Sequence, residues 1–191
     1  MTSEILQSAW DIQDRVVAAK RQIHSVPELG MKEFETTALV RRELESMGIP
    51  MEPLGGPVGV LGVLRGKGAG DGKVIALRAD MDALPIQETA DVPDRSTVPG
   101  VMHACGHDCH TAMLLGAARL LASRTEQFSG VVKFLFQPAE ETLGGARQST
   151  SWRTRRWTGS SASTGTRGSM WGRSPFEADP PWPPRTSSPS P

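Results

Sequence analysis

A short stretch of the 191-residue chain concentrates the residue types that bind metal ions. Positions 102–110 read MHACGHDCH, and they hold three of the four histidines and both cysteines of the sequence. Thiolate and imidazole are good ligands for zinc and similar divalent ions, and a carboxylate can complete a mixed site. Cys105 and His107 are separated by one glycine, so in an extended segment both side chains would face the same point. The cluster therefore predicts a metal site.

Two stretches rich in carboxylates lie where partners for this cluster are expected. Each follows a predicted strand, and they read RADMD (78–82) and QPAEE (137–141). Open α/β sheets bind ligands beyond the carboxyl ends of their strands, so both stretches can reach a point that the cysteine–histidine cluster also reaches. Of Glu140 and Glu141, one could ligate a metal while the other takes a proton from metal-bound water, whose pKa can fall to about 7.

Each of these residues also has an interpretation without chemistry. A single cysteine is more often a small buried hydrophobic residue than a ligand, and adjacent glutamates usually lie on a solvated face. His24 suits a packed or capping position, and Asp80 or Asp82 could satisfy backbone N–H groups of a turn. A compact zinc knuckle, with tighter spacing than usual structural zinc sites, is a further alternative. Its ligands would be Cys105, His107, Cys109 and His110.

The periodicity of apolar side chains predicts the elements that would position these residues. Helical spacing predicts helices over 4–25, 33–47 and 110–123, and short runs of branched aliphatic residues predict strands over 58–64, 73–79 and 130–136. The order helix, helix, strand, strand, helix, strand is typical of a layered α/β domain. The run from Val74 to Leu77 is continuously apolar, which is typical of a strand buried on both faces.

The composition changes sharply after Arg147. Residues 148–191 contain no Val, Ile, Leu, Lys or His, but they hold four of the five tryptophans and six arginines against two acidic residues. A segment without aliphatic side chains cannot offset the entropy of ordering, so we expect a disordered tail. We predict a partial catalytic domain over 1–147 and a tail over 148–191 that resembles the out-of-frame translation of a GC-rich gene. A basic arm that binds nucleic acid is the alternative for this tail.

The global features exclude several classes of protein. The formal net charge is zero, which argues against binding to nucleic acid or to an anionic membrane surface. The chain has no run of 18 apolar residues, its start does not resemble a secretory signal, and two cysteines four positions apart do not form a disulfide framework. We therefore expect a cytoplasmic protein without nucleic-acid or membrane partners.

Four segments together resemble one enzyme family in their order and spacing. They read RQIHSVPELGMKEFETTALVRRELESMGI, VIALRADMDALPIQE, PGVMHACGHDCHTAMLLGAARLL and GVVKFLFQPAEETLGGAR. They are similar to the metal-dependent amidohydrolase family of hippurate hydrolases, N-acyl-amino-acid hydrolases and auxin-conjugate hydrolases. Four motifs in register are far more specific than any single short motif. The resemblance implies an α/β fold, namely the N-terminal part of a zinc-exopeptidase-like catalytic domain with a mixed sheet.

The resemblance also implies a reaction and a role for each motif residue. The reaction would be hydrolysis of the amide bond of an N-acyl amino acid by metal-activated water, with two divalent ions, zinc or manganese. Cys105 and His107 would be metal ligands, with Cys105 at or near the position that bridges the ions. Glu141 would be a further ligand, Glu140 the general base, and Asp82 the residue that orients a ligand.

The sequence departs from the family pattern in its histidines. Members of the family are longer and carry two more ligand histidines downstream of the PAEE motif, whereas no histidine follows His110 here. We therefore expect this chain to be inactive or nearly so, although the full-length family implies a homo-oligomeric enzyme. A non-catalytic metal-binding or regulatory protein is the alternative function. Within the cluster, supporting roles are expected for Asp108 and His110, and structural roles for His103 and Cys109.

Overall fold

The computed structural model describes residues 2–52, 54–142 and 144. The predicted tail over 148–191 lies outside the described residues, so the boundary at Arg147 stays a prediction. No described helix has both the length and the hydropathy that crossing a membrane requires. The helices are α1 (Thr2–Asp11), α2 (Gln13–Ser25), α3 (Phe34–Ser46) and α4 (His107–Ala122), with a short 3-10 helix over Thr125–Gln127. The strands are β1 (Met51–Glu52), β2 (Val60–Arg65), β3 (Val74–Asp80) and β4 (Val131–Gln137).

The four strands form one mixed sheet in the order β1-β2-β4-β3. Strand β4 pairs antiparallel with β2 and parallel with β3. Two parallel strands need a crossover connection, and the segment between β3 and β4 contains α4. This arrangement confirms the predicted α/β fold with a mixed sheet. It also brings the carboxyl ends of β3 and β4 to the same edge of the sheet, next to the beginning of α4.

Side chains on alternate positions of β4 pack on opposite faces of the sheet, as the pleat requires. Phe134 and Phe136 are fully buried in the main core, which they share with residues of α2, α3 and α4. Leu135 points to the other face, where it packs in a smaller cluster with Leu54, Leu61 and Val63. The helices therefore cover one face of the sheet, and this layer holds the beginning of α4 against the ends of the strands.

Two expectations about the elements are corrected. The single helix predicted over 4–25 is interrupted at Ile12, where φ is −103° and ψ is 0°. No glycine or proline lies in this stretch, so no helix-breaking residue marks the interruption in the sequence. Strand β3 has a neighbour on only one side among the described residues, and Ile75 is 43% exposed. The expectation that this strand is buried on both faces is therefore wrong for the described part of the chain.

Candidate metal centre

The cysteine–histidine cluster forms the turn that leads into α4. Gly106 occupies the N-cap position of this helix with φ of +82°, in the left-handed region that glycine adopts readily. The helix begins at His107, three residues earlier than the sequence predicted, so Cys105 and His107 do not lie in one extended segment. The expectation that an extended segment makes Cys105 and His107 face the same point is therefore wrong. The turn nevertheless brings ligand atoms of both side chains and of Glu141 within 4.8 Å of one another.

Asp82 connects the three motifs through hydrogen bonds. Its two carboxylate oxygens accept the backbone N–H groups of Glu140 and Glu141, each at 3.0 Å. Its backbone carbonyl lies 2.8 Å from Nδ1 of His107, and its Oδ1 lies 3.3 Å from the same nitrogen. Asp82 thus satisfies backbone N–H groups, as one alternative from the sequence had it, but the donors come from a segment 58 residues away. The side chain is almost completely buried, at 1% exposure.

These contacts shift the pKa values of both partners. Burial disfavours the charged form of Asp82, but the hydrogen bonds from His107 and from the N–H groups of Glu141 and Glu140 outweigh it and hold the pKa below its ordinary value. Burial also disfavours the charged form of His107, but the bond to Asp82 and the charges of Asp80 and Asp82 raise its pKa. With Nδ1–H donated to Asp82, Nε2 of a neutral His107 carries the lone pair that a metal needs.

Three different donor atoms converge at the Cys105–His107–Glu141 group. Nε2 of His107 lies 3.9 Å from Oε1 of Glu141. The Cys105 side chain is exposed, and desolvation together with the hydrogen bond and charge of Glu141 raises the pKa of its thiol. A bound cation would reverse this effect, because the thiolate is the form that ligates a metal. Sulfur, nitrogen and oxygen donors around one point suit a borderline divalent ion, so these residues fit the metal that the motifs imply.

A second group of potential ligands comprises Asp80, His107 and His110, with ligand atoms also within 4.8 Å of one another. Its members already have partners, since Nδ1 of His110 lies 2.6 Å from Oδ1 of Asp80 and Arg78 donates to Oδ2 of Asp80 at 3.0 Å. Both groups share His107, whose Nε2 has one lone pair and can therefore serve one ion. The group that contains Cys105 is the better candidate for a metal centre.

The other two histidines lie outside both groups. His24 is buried and packed, with Nδ1 2.7 Å from Oδ2 of Asp108 and Nε2 3.1 Å from Oε1 of Glu88. His103 is buried, and desolvation lowers its pKa to about 4, so its ring is neutral near pH 7. The hydrogen bond from His24 to Asp108 holds the first turn of α4, at the residue that follows His107.

Sequence reasoning missed two buried glutamates. Glu33 and Glu88 are 0% and 2% exposed, yet neither lies in a motif with recognisable ligand spacing. Glu33 opens the helix predicted over 33–47, and Glu88 lies in the connection after RADMD, so periodicity gives no signal that either carboxyl group is buried. The roles of Glu140 as base and of Glu141 as ligand stay predictions, as do those of Cys105, His107 and Asp82.

The chain matches known proteins over most of the described residues. Residues 76–173 match the family described as Peptidase family M20/M25/M40. The chain is 51% identical over 150 residues to thermostable carboxypeptidase 2 of Saccharolobus solfataricus, covering 77% of this chain and 38% of that protein. It is 51% identical over 138 residues to IAA-amino acid hydrolase ILR1-like 5 of Arabidopsis thaliana, covering 72% of this chain and 31% of that protein. It is 50% identical over 135 residues to N-acetylcysteine deacetylase of Bacillus subtilis, covering 70% of this chain and 35% of that protein.

A solved structure agrees with these relatives. The Bacillus subtilis protein YXEP, described as a dinuclear metal binding peptidase from the M20 family, superposes with a TM-score of 0.69 at 46% identity, covering 72% of this chain and 38% of that one. The chain thus spans about a third of the length of these relatives. The family match extends past Arg147, the residue where we place the end of the catalytic portion. These findings confirm the resemblance seen in the four motifs: the chain belongs to the M20/M25/M40 peptidase family, whose members are hydrolases.

Proposed function

We propose that the chain carries the ligand- and base-bearing part of an amidohydrolase centre that acts on N-acyl amino acids. The convergence of Cys105, His107 and Glu141 on one point is the observation that carries this proposal. The names of two relatives support the substrate class, since IAA-amino acids and N-acetylcysteine are both amino acids acylated on nitrogen. The dinuclear description of the B. subtilis structure supports two divalent ions, for which we propose zinc or manganese.

Each motif residue of this chain would have its own role in the reaction. Cys105, His107 and Glu141 would hold the metal, which when bound supplies a Lewis acid and lowers the pKa of water. Glu140 would accept a proton at its carboxylate. Asp82 would keep His107 in the tautomer with a free Nε2 and would fix the backbone of both glutamates. Hydrogen bonds to Asp82 already hold the His107 ring and the backbone of Glu140 and Glu141, which supports a preorganised site.

We further propose that the catalytic portion ends near Arg147 and that residues 148–191 form a separate tail. The shortage of histidines after His110 supports low activity of this chain by itself, because the family pattern has two more ligand histidines. The same shortage favours the second candidate function, a metal-binding protein without catalysis. Homo-oligomerisation and a cytoplasmic location stay predictions from the resemblance and the composition.

Metal titration tests the proposal directly. Purified protein is stripped with chelator and titrated with Zn²⁺ in a calorimeter, and with Co²⁺ in a spectrophotometer. We expect binding with a thiolate-to-cobalt charge-transfer band, lost in Cys105→Ser and strongly weakened in Glu141→Gln. His110→Ala is the matched control, and it should keep both the affinity and the band. Loss of binding in His110→Ala but not in Cys105→Ser would move the centre to the Asp80 group and contradict the proposal.

Hydrolysis of N-acetyl amino acids, measured on the same samples, separates the two candidate functions. Metal-dependent turnover that disappears in Glu140→Gln, with metal affinity retained, would support the amidohydrolase. Tight metal binding without turnover would support the non-catalytic alternative. A wild-type chain that binds neither Zn²⁺ nor Co²⁺ would refute both.

A further inference from the structure

Two buried carboxyl side chains hold three consecutive backbone N–H groups in the turn after β4. Asp82 accepts those of Glu140 and Glu141. Oε1 of Glu33, which lies 106 residues earlier in the chain, accepts the N–H of Ala139 at 2.7 Å. The turn that carries the proposed base and ligand is therefore attached at backbone level to two separate parts of the fold.

The burial of Glu33 is unfavourable by itself. The residue is 0% exposed, and its Oε2 makes no hydrogen bond with any residue that the structure describes. Burial raises its pKa despite the opposing N–H of Ala139, and the charges of Asp82 and Glu28 add to the increase. Placing a carboxyl group in such surroundings costs free energy unless it makes a needed bond, and an apolar side chain would avoid that cost.

Helix capping does not explain this glutamate. Glu33 occupies the N-cap position of α3 but makes no side-chain capping bond. The N–H groups of Glu35 and Thr36, which an N-cap residue would normally satisfy, are accepted by the carboxylate of Glu28 at 3.0 and 2.9 Å. Because Glu28 provides the cap, the carboxyl group of Glu33 is free to point towards Ala139.

Backbone strain is concentrated at the same contact. Among the described residues, Met31 and Ala139 are the two non-glycine residues with positive φ, at 67° and 50°. Such conformations persist only where the surroundings hold them, and they are enriched at functional sites. A Cβ on Gly30 would lie 3.2 Å from Cα of Ala139, so the two backbones pack directly on each other. The segment before α3 therefore supports the strained turn.

We propose that Glu33 is a positioning residue that holds Ala139 in its left-handed conformation and thereby aims Glu140 and Glu141 at the Cys105–His107 turn. Without this acceptor, Ala139 relaxes towards a more populated region, and Asp82 alone cannot fix the direction of the two side chains that follow. The inference rests on the proposed function for the roles of Glu140 and Glu141, whereas the hydrogen bond and the strain are features of the fold itself.

Two variants and a matched control test the proposal. Glu33→Leu replaces the acceptor with an apolar side chain of similar volume, and Glu33→Gln keeps an acceptor for Ala139. Thr37→Val is the control, because Thr37 is also buried and also accepts a backbone N–H, that of Gly59 at 3.0 Å. Should Glu33→Leu not fold, Glu33→Asp gives the same comparison, since its shorter side chain keeps the carboxyl group but withdraws it from Ala139.

The first readout is amide hydrogen exchange in the metal-free protein. We expect Glu33→Leu to accelerate exchange at Ala139 and also at Glu140 and Glu141, which Glu33 does not contact, by tenfold or more relative to the rest of the sheet. Glu33→Gln should retain the protection. Thr37→Val should lose stability globally without singling out these three amides. Equal acceleration in Thr37→Val, or unchanged exchange in Glu33→Leu, would overturn the proposal.

The second readout is the affinity for Zn²⁺ and the spectrum with Co²⁺. We expect Glu33→Leu to weaken binding by about 10–100-fold and to change the thiolate-to-cobalt band, because residues that orient metal ligands have effects of this size. Glu33→Gln should rescue both. Lost amide protection with wild-type affinity would overturn the positioning role. If the wild type binds no metal, the proposed function fails, and the exchange pattern alone then decides whether Glu33 holds the turn.

Discussion

Replacement of Asp82 by asparagine is the sharpest test of how the three motifs are connected. The wild-type carboxylate accepts two buried backbone N–H groups at 3.0 Å each. Asparagine is isosteric but offers one acceptor oxygen, so its NH₂ group faces the second N–H and leaves that donor unpaired. Hydrogen bonds to charged groups contribute about 1.5–3 kcal/mol each. We expect Asp82→Asn to lower the free energy of unfolding of the metal-free protein by about 2 kcal/mol at neutral pH.

The pH dependence of this loss identifies its origin. The pKa of Asp82 in the folded protein is held below its ordinary value of 3.8. A group of this kind stabilises the fold fully above its unfolded-state pKa, and the stabilisation is lost as the pH falls through the folded-state pKa. Asp82 also raises the pKa of His107, so the difference between wild type and Asp82→Asn should grow as the pH falls through the range in which His107 titrates. It should then shrink as the pH falls below the ordinary pKa of Asp82.

Urea unfolding in the presence of chelator, followed by circular dichroism at several pH values, measures both quantities. Asp82→Glu is the matched control. It keeps the negative charge but displaces the two oxygens, so it should also lose stability. A difference between wild type and Asp82→Asn below about 0.5 kcal/mol, or one that does not depend on pH, would refute the assignment of the two charged hydrogen bonds.

Three further outcomes follow from the structure. Phe134→Ala should cost about 3–5 kcal/mol in urea unfolding, because this ring is fully buried, whereas Ile75→Ala on the open side of β3 should cost much less. Burial raises the pKa of Glu33, so the stability that its protonated form gives the fold is lost as the pH rises. Glu33→Gln should therefore be more stable than wild type at neutral pH, and this gain should vanish below pH 4.5. Zn²⁺ binding near neutral pH should release more protons in wild type than in Cys105→Ser, because the raised pKa of Cys105 keeps its thiol protonated before the metal binds. Calorimetry in buffers of different ionisation enthalpy measures this difference in released protons.

The residues of the candidate centre could be identified from their types. Cysteine, histidine and paired glutamates are uncommon together, and the predicted strand ends place Glu140 and Glu141 at the edge of the sheet that Cys105 and His107 also reach. The fold class could be predicted for a similar reason, because apolar periodicity reflects which face of each element is buried. Both inferences use short-range information, which the order of residues contains directly.

Tertiary structure decided the features that depend on contacts between distant segments. Local spacing indicated a helix through Ile12 and an extended approach to His107, but the helix is interrupted at Ile12 and the chain turns at Gly106 before His107. The role of Glu33 as an acceptor for Ala139 depends on a hydrogen bond that spans 106 positions. No periodicity or motif encodes such a bond, because a glutamate at the start of a helix has the same local signal whether it lies in solvent or in the core. The sequence by itself therefore determined which atoms are available for chemistry, and only the packed chain determined which backbone groups hold them in place.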